Sequence, residues 1–276
     1  MKPRAGALGR AARISAVAIV PARLGSTRLP RKMLLRESGR YLFEHTVQGV
    51  QRSQAIERVF LATDSEEIRA AARGVGIEAL LTSPEHRSGS ERVQEALELL
   101  VARGLGPWDV VLNVQGDEPE IDGTCLDPLV AAFAEPGLEL ASLCTPLEAE
   151  LDAHDPSIVK VVRDRAGDAL YFSRAPIPGR GPAGALADEH GSGPAQPLRH
   201  VGVYAFRPDA LRRFCALPRG ELEAAESLEQ LRWLEAGGRI RVLESAHGSV
   251  GIDTAEQYAR FVERQRSRTP LESSNR

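Results

Sequence analysis

The sequence has few of the features that mark secreted, membrane-spanning or nucleic-acid-binding proteins. Only three of its 276 residues are cysteine, and they are far apart and form no metal-type pair. A disulfide scaffold is therefore not expected, and a reduced, cytoplasmic protein fits best. No apolar run approaches the roughly 18 residues that a membrane helix requires. The formal net charge of −3 argues against a broad nucleic-acid-binding surface.

Several common catalytic motifs are also missing. The chain contains neither the GxxxxGK[ST] loop of ordinary ATPases nor the GxGxxG turn of dinucleotide-binding folds. It has no Gly-x-Ser-x-Gly elbow, no cysteine in a nucleophile context and no histidines at metal-ligand spacing. These absences exclude the usual forms of a nicotinamide dehydrogenase and a serine hydrolase.

What is present is an alternation of short apolar runs with longer helical patterns. Strands are predicted at residues 16–20, 58–63, 78–82, 109–115 and 139–145. Amphipathic patterns such as 65–76 and 88–104 lie between them. This order predicts an α/β fold with a mostly parallel, Rossmann-like sheet and helices on both faces. In such sheets ligands bind beyond the carboxyl ends of the strands.

The pattern changes in the second half of the chain. Alternating segments there, SIVKVVRD, DALYFSR and RHVGVYAF, predict antiparallel strands in a smaller lobe at about 145–220. Between the last two lies a Gly-, Pro- and Ala-rich stretch, 179–197, which predicts a mobile surface loop. We expect one domain over 14–266, with flexible tails at 1–13 and 267–276.

Further elements are predicted near the carboxyl end. Helical patterns cover about 208–216 and 222–236, and 249–253 is predicted to be a short strand. Thr254 is predicted to cap a final helix that ends near Gln265.

The stretch VPARLGSTRLPRK at 20–32 crowds positive charge into a loop that directly follows a buried strand. Its cations are Arg23, Arg28, Arg31 and Lys32. Gly25, Ser26 and Thr27 can offer backbone N–H groups and hydroxyls to anionic oxygens, and the cations can neutralise a triphosphate. The loop is therefore predicted to cradle phosphates, and a merely solvated basic loop is the alternative.

Two acids are candidate metal ligands. Asp117, in NVQGDEP, follows a predicted strand and a glycine, so its carboxylate should point into the crevice that faces the cationic loop. Mg²⁺ usually takes one or two protein carboxylates and completes its shell with water and phosphate oxygens. Asp253, in VGIDT, has the pattern of a helix cap, and becomes a ligand candidate only if the fold brings it near Asp117.

Three weaker signals complete the set. Ser88 and Gly89 precede a predicted helix, so their N–H groups could bind an anion or a base edge, and a plain helix cap is equally consistent with the pattern. Arg174 and His200 lie at the ends of predicted strands, a position that carries no functional signal by itself.

Taken together, these stretches resemble the CMP-Kdo synthetases, the 3-deoxy-manno-octulosonate cytidylyltransferases. The resemblance runs from about Ala16 to Phe261. It rests on VPARLGSTRLPRK, LATDSEEI, TSPEHRSGSERV, VLNVQGDEP, IVKVVRD, ALYFSRAPIP, RHVGVYAF, LEAAESLEQLRWLEAG and GIDTAEQ. The family couples CTP to 3-deoxy-D-manno-octulosonate (Kdo), giving CMP-Kdo and pyrophosphate, with Mg²⁺ as cofactor.

The resemblance implies roles for individual residues. Catalytic roles are implied for Arg28, Lys32, Asp117 and Asp253, and the last two would hold the magnesium ion. Nucleotide contacts are implied for Ala22, Arg23, Gly25, Ser26, Arg28, Lys32, Ser88, Gly89 and Arg92. A sugar-acid pocket is implied for Gln115, Arg174, His200, Tyr204, Glu229 and Gln230. The Arg174 guanidinium suits the Kdo carboxylate because the two groups can form a bidentate pair.

The resemblance also implies a nucleotidyltransferase body with an antiparallel dimerisation lobe, hence a homodimer whose ligands are CTP and a sugar acid. No nucleic-acid or membrane partner is expected, and the product would enter lipopolysaccharide or a related glycan. Two residues depart from the family's usual Leu-Pro-Gly-Lys-Pro-Leu: Arg31 stands for a glycine and Met33 for a proline. These changes bear on the conformation of the loop and on its affinity for CTP.

Three other functions remain open at this level. A cytidylyltransferase for a sialic acid typically carries a Gly-Gly-Ser-Lys type loop, which this chain lacks. An amino-substituted Kdo would change few contacts and is not distinguished by the sequence. A catalytically dead nucleotide-binding protein is disfavoured by the retained Asp117 and Asp253.

Overall fold

A computed structural model describes residues 13–147, 153–179, 197–246 and 248–268. The outer parts of both predicted tails and most of the predicted 179–197 loop lie outside these ranges. No helix in the described residues is long and apolar enough to cross a membrane.

The body of the protein is a twisted α/β sheet whose first strands are parallel. Four strands, β1 to β4, are Ala16–Ala22, Arg58–Thr63, Ala79–Leu81 and Val110–Val114. They lie side by side in the order β3-β2-β1-β4, and every neighbouring pair is parallel. The predicted parallel sheet is thus confirmed, and the carboxyl ends of β1 and β4 open on the same edge.

One antiparallel strand joins the two halves of this sheet. β5 is Leu140–Pro146, β8 is Leu198–Phe206 and β9 is Arg241–Glu244. β8 lies between β4 and β5 and is antiparallel to both, whereas β9 is parallel to β5. β8 falls within the stretch expected to form the lobe, yet most of it belongs to the central sheet.

The described part of the antiparallel lobe is a hairpin beside this sheet. Its strands are β6 (Lys160–Arg163) and β7 (Ala169–Ser173), which pair with each other. β6 also pairs with the first two residues of β8, which attaches the hairpin to the body.

Helices cover both faces because the side chains of β1 alternate between them. Ala18 and Val20 pack in one cluster with α1 (Leu42–Val50) and α2 (Glu66–Gly74). Val17 and Ile19 pack in another cluster with α3 (Gly89–Ala102). The remaining helices are α4 (Leu126–Ala131), α5 (Pro208–Ala216), α6 (Glu221–Glu226), α7 (Leu231–Glu235) and α8 (Ala255–Arg268).

Two local predictions are wrong. The single helix expected at 222–236 is broken into α6 and α7, because Ser227 adopts a left-handed backbone conformation with φ of 54°. The strand expected at 249–253 is not a strand. Its residue Ile252 makes one backbone hydrogen bond, from its N–H to the Asp117 carbonyl (2.9 Å), instead of a ladder. That bond nevertheless brings this segment to the loop after β4.

Candidate active site

A cavity of about 190 Å³ opens beyond the carboxyl ends of β1 and β4. Eight residues that the sequence singled out line it: Arg23, Lys32, Ser88, Gly89, Arg92, Gln115, Asp117 and Asp253. They come from four separated parts of the chain, which the parallel strand order brings to one edge of the sheet. Volume alone would point elsewhere, since a groove of about 920 Å³ beside α1 and α8 is lined by none of the predicted site residues.

The cationic loop, residues 23–32, is anchored to the end of the neighbouring strand. The Leu24 N–H donates to Asp64 Oδ1 (3.1 Å), just beyond β2. Asp64 Oδ2 in turn accepts from Arg92 Nη2 (3.0 Å), and Arg92 Nη1 donates to Thr82 Oγ1 (2.6 Å). Arg92 is buried. Through Asp64, Arg92 therefore helps to hold the cationic loop in place, and it also lines the cavity.

The end of the loop directs one cation away from the cavity. Arg31 has a left-handed backbone, with φ of 56°, and its guanidinium binds Glu67 on α2 at the surface. Gly at this position would adopt this conformation without steric cost, which explains why a glycine is usual there. Among the described residues Arg31 contacts no part of the cavity, and the next residue, Lys32, is the one that enters it.

Lys32 lies at the centre of the site. Its Nζ donates to Asp117 Oδ2 (2.5 Å), Asp253 Oδ1 (2.8 Å) and the Ile252 carbonyl (3.0 Å). The Lys32 side chain is 8% exposed, so these bonds lie largely out of water. Arg28, which is 63% exposed, binds the other Asp253 oxygen at 2.8 Å. Burial acts to raise the pKa of Asp253, but the charges of Lys32 and Arg28 outweigh it, and the pKa is lowered.

Asp117 and Asp253, the carboxylate pair, fit a magnesium site. Both carboxylates bind the Lys32 ammonium. Asp253 therefore lies near Asp117, which was the condition for counting it as a metal-ligand candidate. The described residues contain no group of three or more His, Cys, Asp or Glu that could hold a metal. A metal there would keep most of its shell for water and substrate oxygens, which is the habit of Mg²⁺.

The loop after β4 approaches β1 closely. A Cβ at Gly116 would lie 2.7 Å from the Pro21 carbonyl oxygen, so only glycine fits between the two strand ends. The Gly116 carbonyl is held from the other side by Thr46 Oγ1 at 2.9 Å. This contact sets the position of the next residue, Asp117, relative to the cationic loop.

Glu118 is a buried acid that the sequence reasoning missed. Its Oε2 has no partner among the described residues, and Gly202 leaves room for the other oxygen. Burial raises the pKa of Glu118 to about 7, and the neighbouring Asp117 charge adds to the shift. A raised pKa lets Glu118 take up a proton more readily, which would limit the negative charge beside the carboxylate pair.

A chain of buried polar groups lies on the other side of the cavity, and we call it the buried relay. Gln115 Nε2 donates to Asn113 Oδ1 (3.1 Å), and Asn113 Nδ2 donates to Ser90 Oγ (3.2 Å). The Ser90 hydroxyl donates to Glu229 Oε1 (2.7 Å). The fold thus connects two of the predicted sugar-pocket residues, Gln115 and Glu229, through two residues that had no predicted role.

His200 is buried as a neutral ring. Burial lowers its pKa to about 3, and Arg199 adds a smaller effect. The single hydrogen of the Ser142 hydroxyl goes to the Val203 carbonyl (2.8 Å), so Ser142 Oγ accepts from His200 Nε2–H (2.8 Å). His200 Nδ1 therefore carries the lone pair. The ring also packs against Tyr204, whose pKa burial raises well above its ordinary value.

Of the predicted sugar-pocket residues only Gln115 lines the cavity, and Arg174, His200, Tyr204, Glu229 and Gln230 do not. The Arg174 Nε donates to the Glu226 carbonyl and its Nη1 to the Pro156 carbonyl, both at 2.9 Å. Gln230 is buried, and its Nε2 has no partner among the described residues. Gln115 and Glu229 are thus linked through the buried relay and His200 packs against Tyr204, whereas Arg174 is bound to backbone.

Three residues near the site had no predicted role, yet each carries a weak signal in the sequence. Asn113 interrupts the apolar strand VVLNV, and a polar residue in a fully buried strand needs a partner. Ser90 follows Gly89 at the start of α3, where a serine is ordinarily a surface or cap residue. Asp64 follows β2 in LATDS, the same strand-end position that drew attention to Asp117.

The chain is similar to known proteins over most of its length. Residues 17–241 match the family model described as cytidylyltransferase. A 3-deoxy-manno-octulosonate cytidylyltransferase of Anaeromyxobacter sp. (strain Fw109-5) is 47% identical over 88% of this chain and 93% of the relative. One from Bdellovibrio bacteriovorus is 40% identical over 89% of this chain and 95% of the relative.

A solved structure is similar over the whole body. It is a CMP:2-keto-3-deoxy-manno-octonic acid synthetase complexed with CTP, at 36% identity and a TM-score of 0.81. The match covers 92% of this chain and 100% of that one. A nucleotidyl transferase from Methanothermobacter, at 17% identity and a TM-score of 0.55, shares the fold alone.

Proposed function

The chain belongs to the 3-deoxy-manno-octulosonate cytidylyltransferase family, and from that premise we propose that it transfers CMP from CTP to Kdo, forming CMP-Kdo and pyrophosphate. The observation that carries the proposal is the placement of Lys32 and the carboxylate pair in one cavity under the cationic loop. Cations for a triphosphate and acids for a divalent metal meet at the strand ends, where nucleotides bind in sheets of this kind.

The reaction is an in-line displacement at the α-phosphorus. The anomeric oxygen of Kdo forms a bond to that phosphorus, the bond to the bridging α–β oxygen breaks, pyrophosphate leaves, and the hydroxyl proton passes to solvent. The chain supplies no covalent intermediate, so its contribution is positioning and charge stabilisation. Arg23 and Arg28 hold the triphosphate, and Lys32 and Arg28 stabilise the charge that develops on the leaving pyrophosphate.

The cofactor of this proposal is Mg²⁺ on Asp117 and Asp253. When bound, it would supply Lewis-acid stabilisation of phosphate charge and would lower the pKa of the attacking hydroxyl. The chain's part is to present two carboxylate oxygens, both now bound to the Lys32 ammonium. Lys32 therefore exchanges partners, from the carboxylate pair to a phosphate oxygen, as substrate and metal enter.

We propose the nucleotide and sugar contacts that the family resemblance implies. Ala22, Gly25, Ser26, Ser88, Gly89 and Arg92 are proposed to contact the nucleotide together with Arg23, Arg28 and Lys32 of the loop. The sugar acid is proposed to lie against Gln115, His200, Tyr204, Glu229 and Gln230. Arg174 reaches the sugar carboxylate only if it leaves the Glu226 and Pro156 carbonyls that it binds here.

We also propose a cytoplasmic homodimer that uses the β6–β7 hairpin as part of its interface. Among the described strands β7 pairs only with β6, its other edge is held at its start by the bond from the Ala169 N–H to the Ile240 carbonyl (2.8 Å), and its Leu170, the next residue, is 63% exposed. An edge strand with an exposed apolar side chain suits a partner. Light scattering should give twice the chain mass, and a Leu170→Lys change should shift it toward the monomer.

The test of the proposed function is pyrophosphate release with Mg²⁺. CTP should be compared with ATP, GTP and UTP, and Kdo with 8-amino-Kdo and N-acetylneuraminate. Release with CTP and Kdo is the expected result, and a magnesium titration of the same reaction tests the cofactor. Release only with 8-amino-Kdo or N-acetylneuraminate would replace the sugar and keep the reaction. CTP binding without release on any sugar acid would indicate a dead enzyme.

A further inference from the structure

Two residues of the buried relay, Ser90 and Asn113, have no role in the proposed reaction. Asn113 lies in β4, is fully buried, and is the one polar residue among the apolar side chains of VVLNV. A buried amide without hydrogen bonds costs roughly 2 kcal/mol or more, whereas a valine or leucine would pack there without that penalty. The amide must therefore be retained for the partners that it binds, Gln115 and Ser90.

The direction of every hydrogen bond in the relay follows from one end of it. Burial raises the pKa of Glu229, and its Oε1 accepts the single hydroxyl hydrogen of Ser90. The Ser90 oxygen then accepts from Asn113 Nδ2, which leaves Asn113 Oδ1 to accept from Gln115 Nε2. Rotating the side-chain amide of Asn113 or Gln115 by a half turn would place two donors or two acceptors opposite each other.

This order decides which atom Gln115 offers to the cavity. Gln115 lines the cavity, and its Nε2 is turned inward to Asn113. Its Oε1 accepts no hydrogen bond from any residue that the structure describes. At the other end, Glu229 Oε2 is buried and likewise lacks a partner among the described residues. The relay thus ends in two acceptor oxygens that have no partner among the described residues, one on a residue that lines the cavity and one buried.

We propose that Ser90 and Asn113 are positioning residues that fix the Gln115 amide oxygen and the Glu229 carboxylate toward the sugar-acid pocket. This inference rests on the proposed function and deepens it. A sugar acid presents hydroxyl groups, and each can donate a hydrogen bond to one of these oxygens. A substrate that lacks such a hydroxyl leaves an oxygen unpaired and binds less well, which makes the relay a determinant of specificity.

The first test removes the central hydroxyl. In Ser90→Ala the KM for Kdo should rise about tenfold, because Glu229 loses a buried hydrogen bond that holds it in place, while the KM for CTP stays within twofold. Ser90→Thr keeps the hydroxyl and should restore the KM for Kdo. The matched control is Ser53→Ala, which removes a serine hydroxyl that donates to Asp127 Oδ1 (2.5 Å) far from the cavity. That control should leave both KM values unchanged.

The second test asks which atom Gln115 presents. Kdo analogues that each lack one hydroxyl should be compared on the wild-type protein and on Ser90→Ala. For at least one analogue the effect of Ser90→Ala should be clearly smaller than for Kdo, because the lost hydroxyl was the donor to a relay oxygen. Equal effects on every analogue would overturn the proposal.

The outcomes separate this inference from the proposed function. Wild-type protein that releases no pyrophosphate from CTP and Kdo contradicts the proposed function. An active wild type whose KM for Kdo is unchanged in Ser90→Ala, or raised together with that for CTP, contradicts the positioning role alone. If Ser90→Ala does not fold, Ser90→Cys keeps the volume with a weak donor, and its KM for Kdo should rise less than tenfold but measurably.

Discussion

The two sides of the cavity achieve recognition in opposite ways. On the phosphate side, charged groups bind one another across loops, and Arg28 is largely exposed to solvent. On the sugar side, neutral amides and hydroxyls connect strand β4, helix α3 and the α6–α7 connection, and Asn113 is fully buried. The difference matches the ligands: a triphosphate needs movable charge, whereas a sugar acid needs acceptors held in fixed directions.

The comparison predicts different responses to substitution. Removing a charge on the phosphate side should abolish turnover with little loss of folding, because solvent and neighbouring charges replace the contact. Removing a hydroxyl on the sugar side should change the affinity for one substrate. The following changes test this contrast, beginning with the largest expected effect.

Asp117→Asn should lower kcat at least a thousandfold and leave the protein folded. The change removes one of the two carboxylates proposed to hold the metal, while Lys32 keeps Asp253 and the Ile252 carbonyl as partners. Stopped pyrophosphate assays and thermal unfolding would measure the two quantities. The matched control is Asp109→Asn, at the opposite end of the same strand, where the carboxylate binds Ser15. An unfolded Asp117→Asn protein would make Asp117 structural.

Lys32→Met should lower kcat about a hundredfold or more and should strengthen metal binding in the absence of CTP. The ammonium now bound to both carboxylates competes with a divalent cation, and its removal leaves two like charges that a cation relieves. The signal of free Mn²⁺ in electron paramagnetic resonance would measure binding without any turnover. We expect about tenfold tighter binding, and a smaller gain in Arg28→Met, which touches only Asp253. Unchanged Mn²⁺ binding in Lys32→Met would show that Lys32 and the metal do not compete.

His200→Gln should weaken the pH dependence of stability. The pKa of His200 is about 3 in the folded protein, compared with 6.5 when unfolded, so the unfolded chain binds the proton first as the pH falls. Stability is then fully present above about pH 6.5 and is lost toward pH 3. Between pH 7 and pH 5 the loss from this residue should be about 2 kcal/mol.

Urea unfolding at the two pH values would measure this loss. His45→Gln should remove a similar share, since burial lowers the pKa of His45 to about 4 beside the larger groove. If His200→Gln leaves the pH dependence unchanged, His200 is not a neutral buried ring. The sugar side would then contain a charged group, as the phosphate side does, and the contrast between the two sides would fail.

Sequence reasoning recovered the phosphate side more completely than the sugar side. Short apolar strands and a crowded cationic loop are local signals, and Asp117 follows its strand directly. The partnership of Lys32 with both Asp117 and Asp253 spans more than 200 residues, so only the resemblance or the fold could supply it. The relay was missed because Ser90 and Asn113 carry no strong sequence signal until β4, α3 and the α6–α7 connection meet in the fold. The break between α6 and α7 at Ser227 could not be predicted, because no glycine or proline lies between these two helices.

Arg31→Gly is the smallest expected effect and the sharpest check on the loop. The left-handed backbone of Arg31 costs roughly 1 kcal/mol, which glycine would recover. Glycine would also lose entropy on folding and the exposed ion pair with Glu67, which contributes about 0–1 kcal/mol. These terms nearly cancel, so the free energy of unfolding should change by less than about 1 kcal/mol, and the KM for CTP by less than threefold. Arg28→Gly, in the same loop but bound to Asp253, should raise the KM for CTP about tenfold or more. If Arg31→Gly impairs CTP binding as strongly, then Arg31 leaves Glu67 to bind the triphosphate as a further cation.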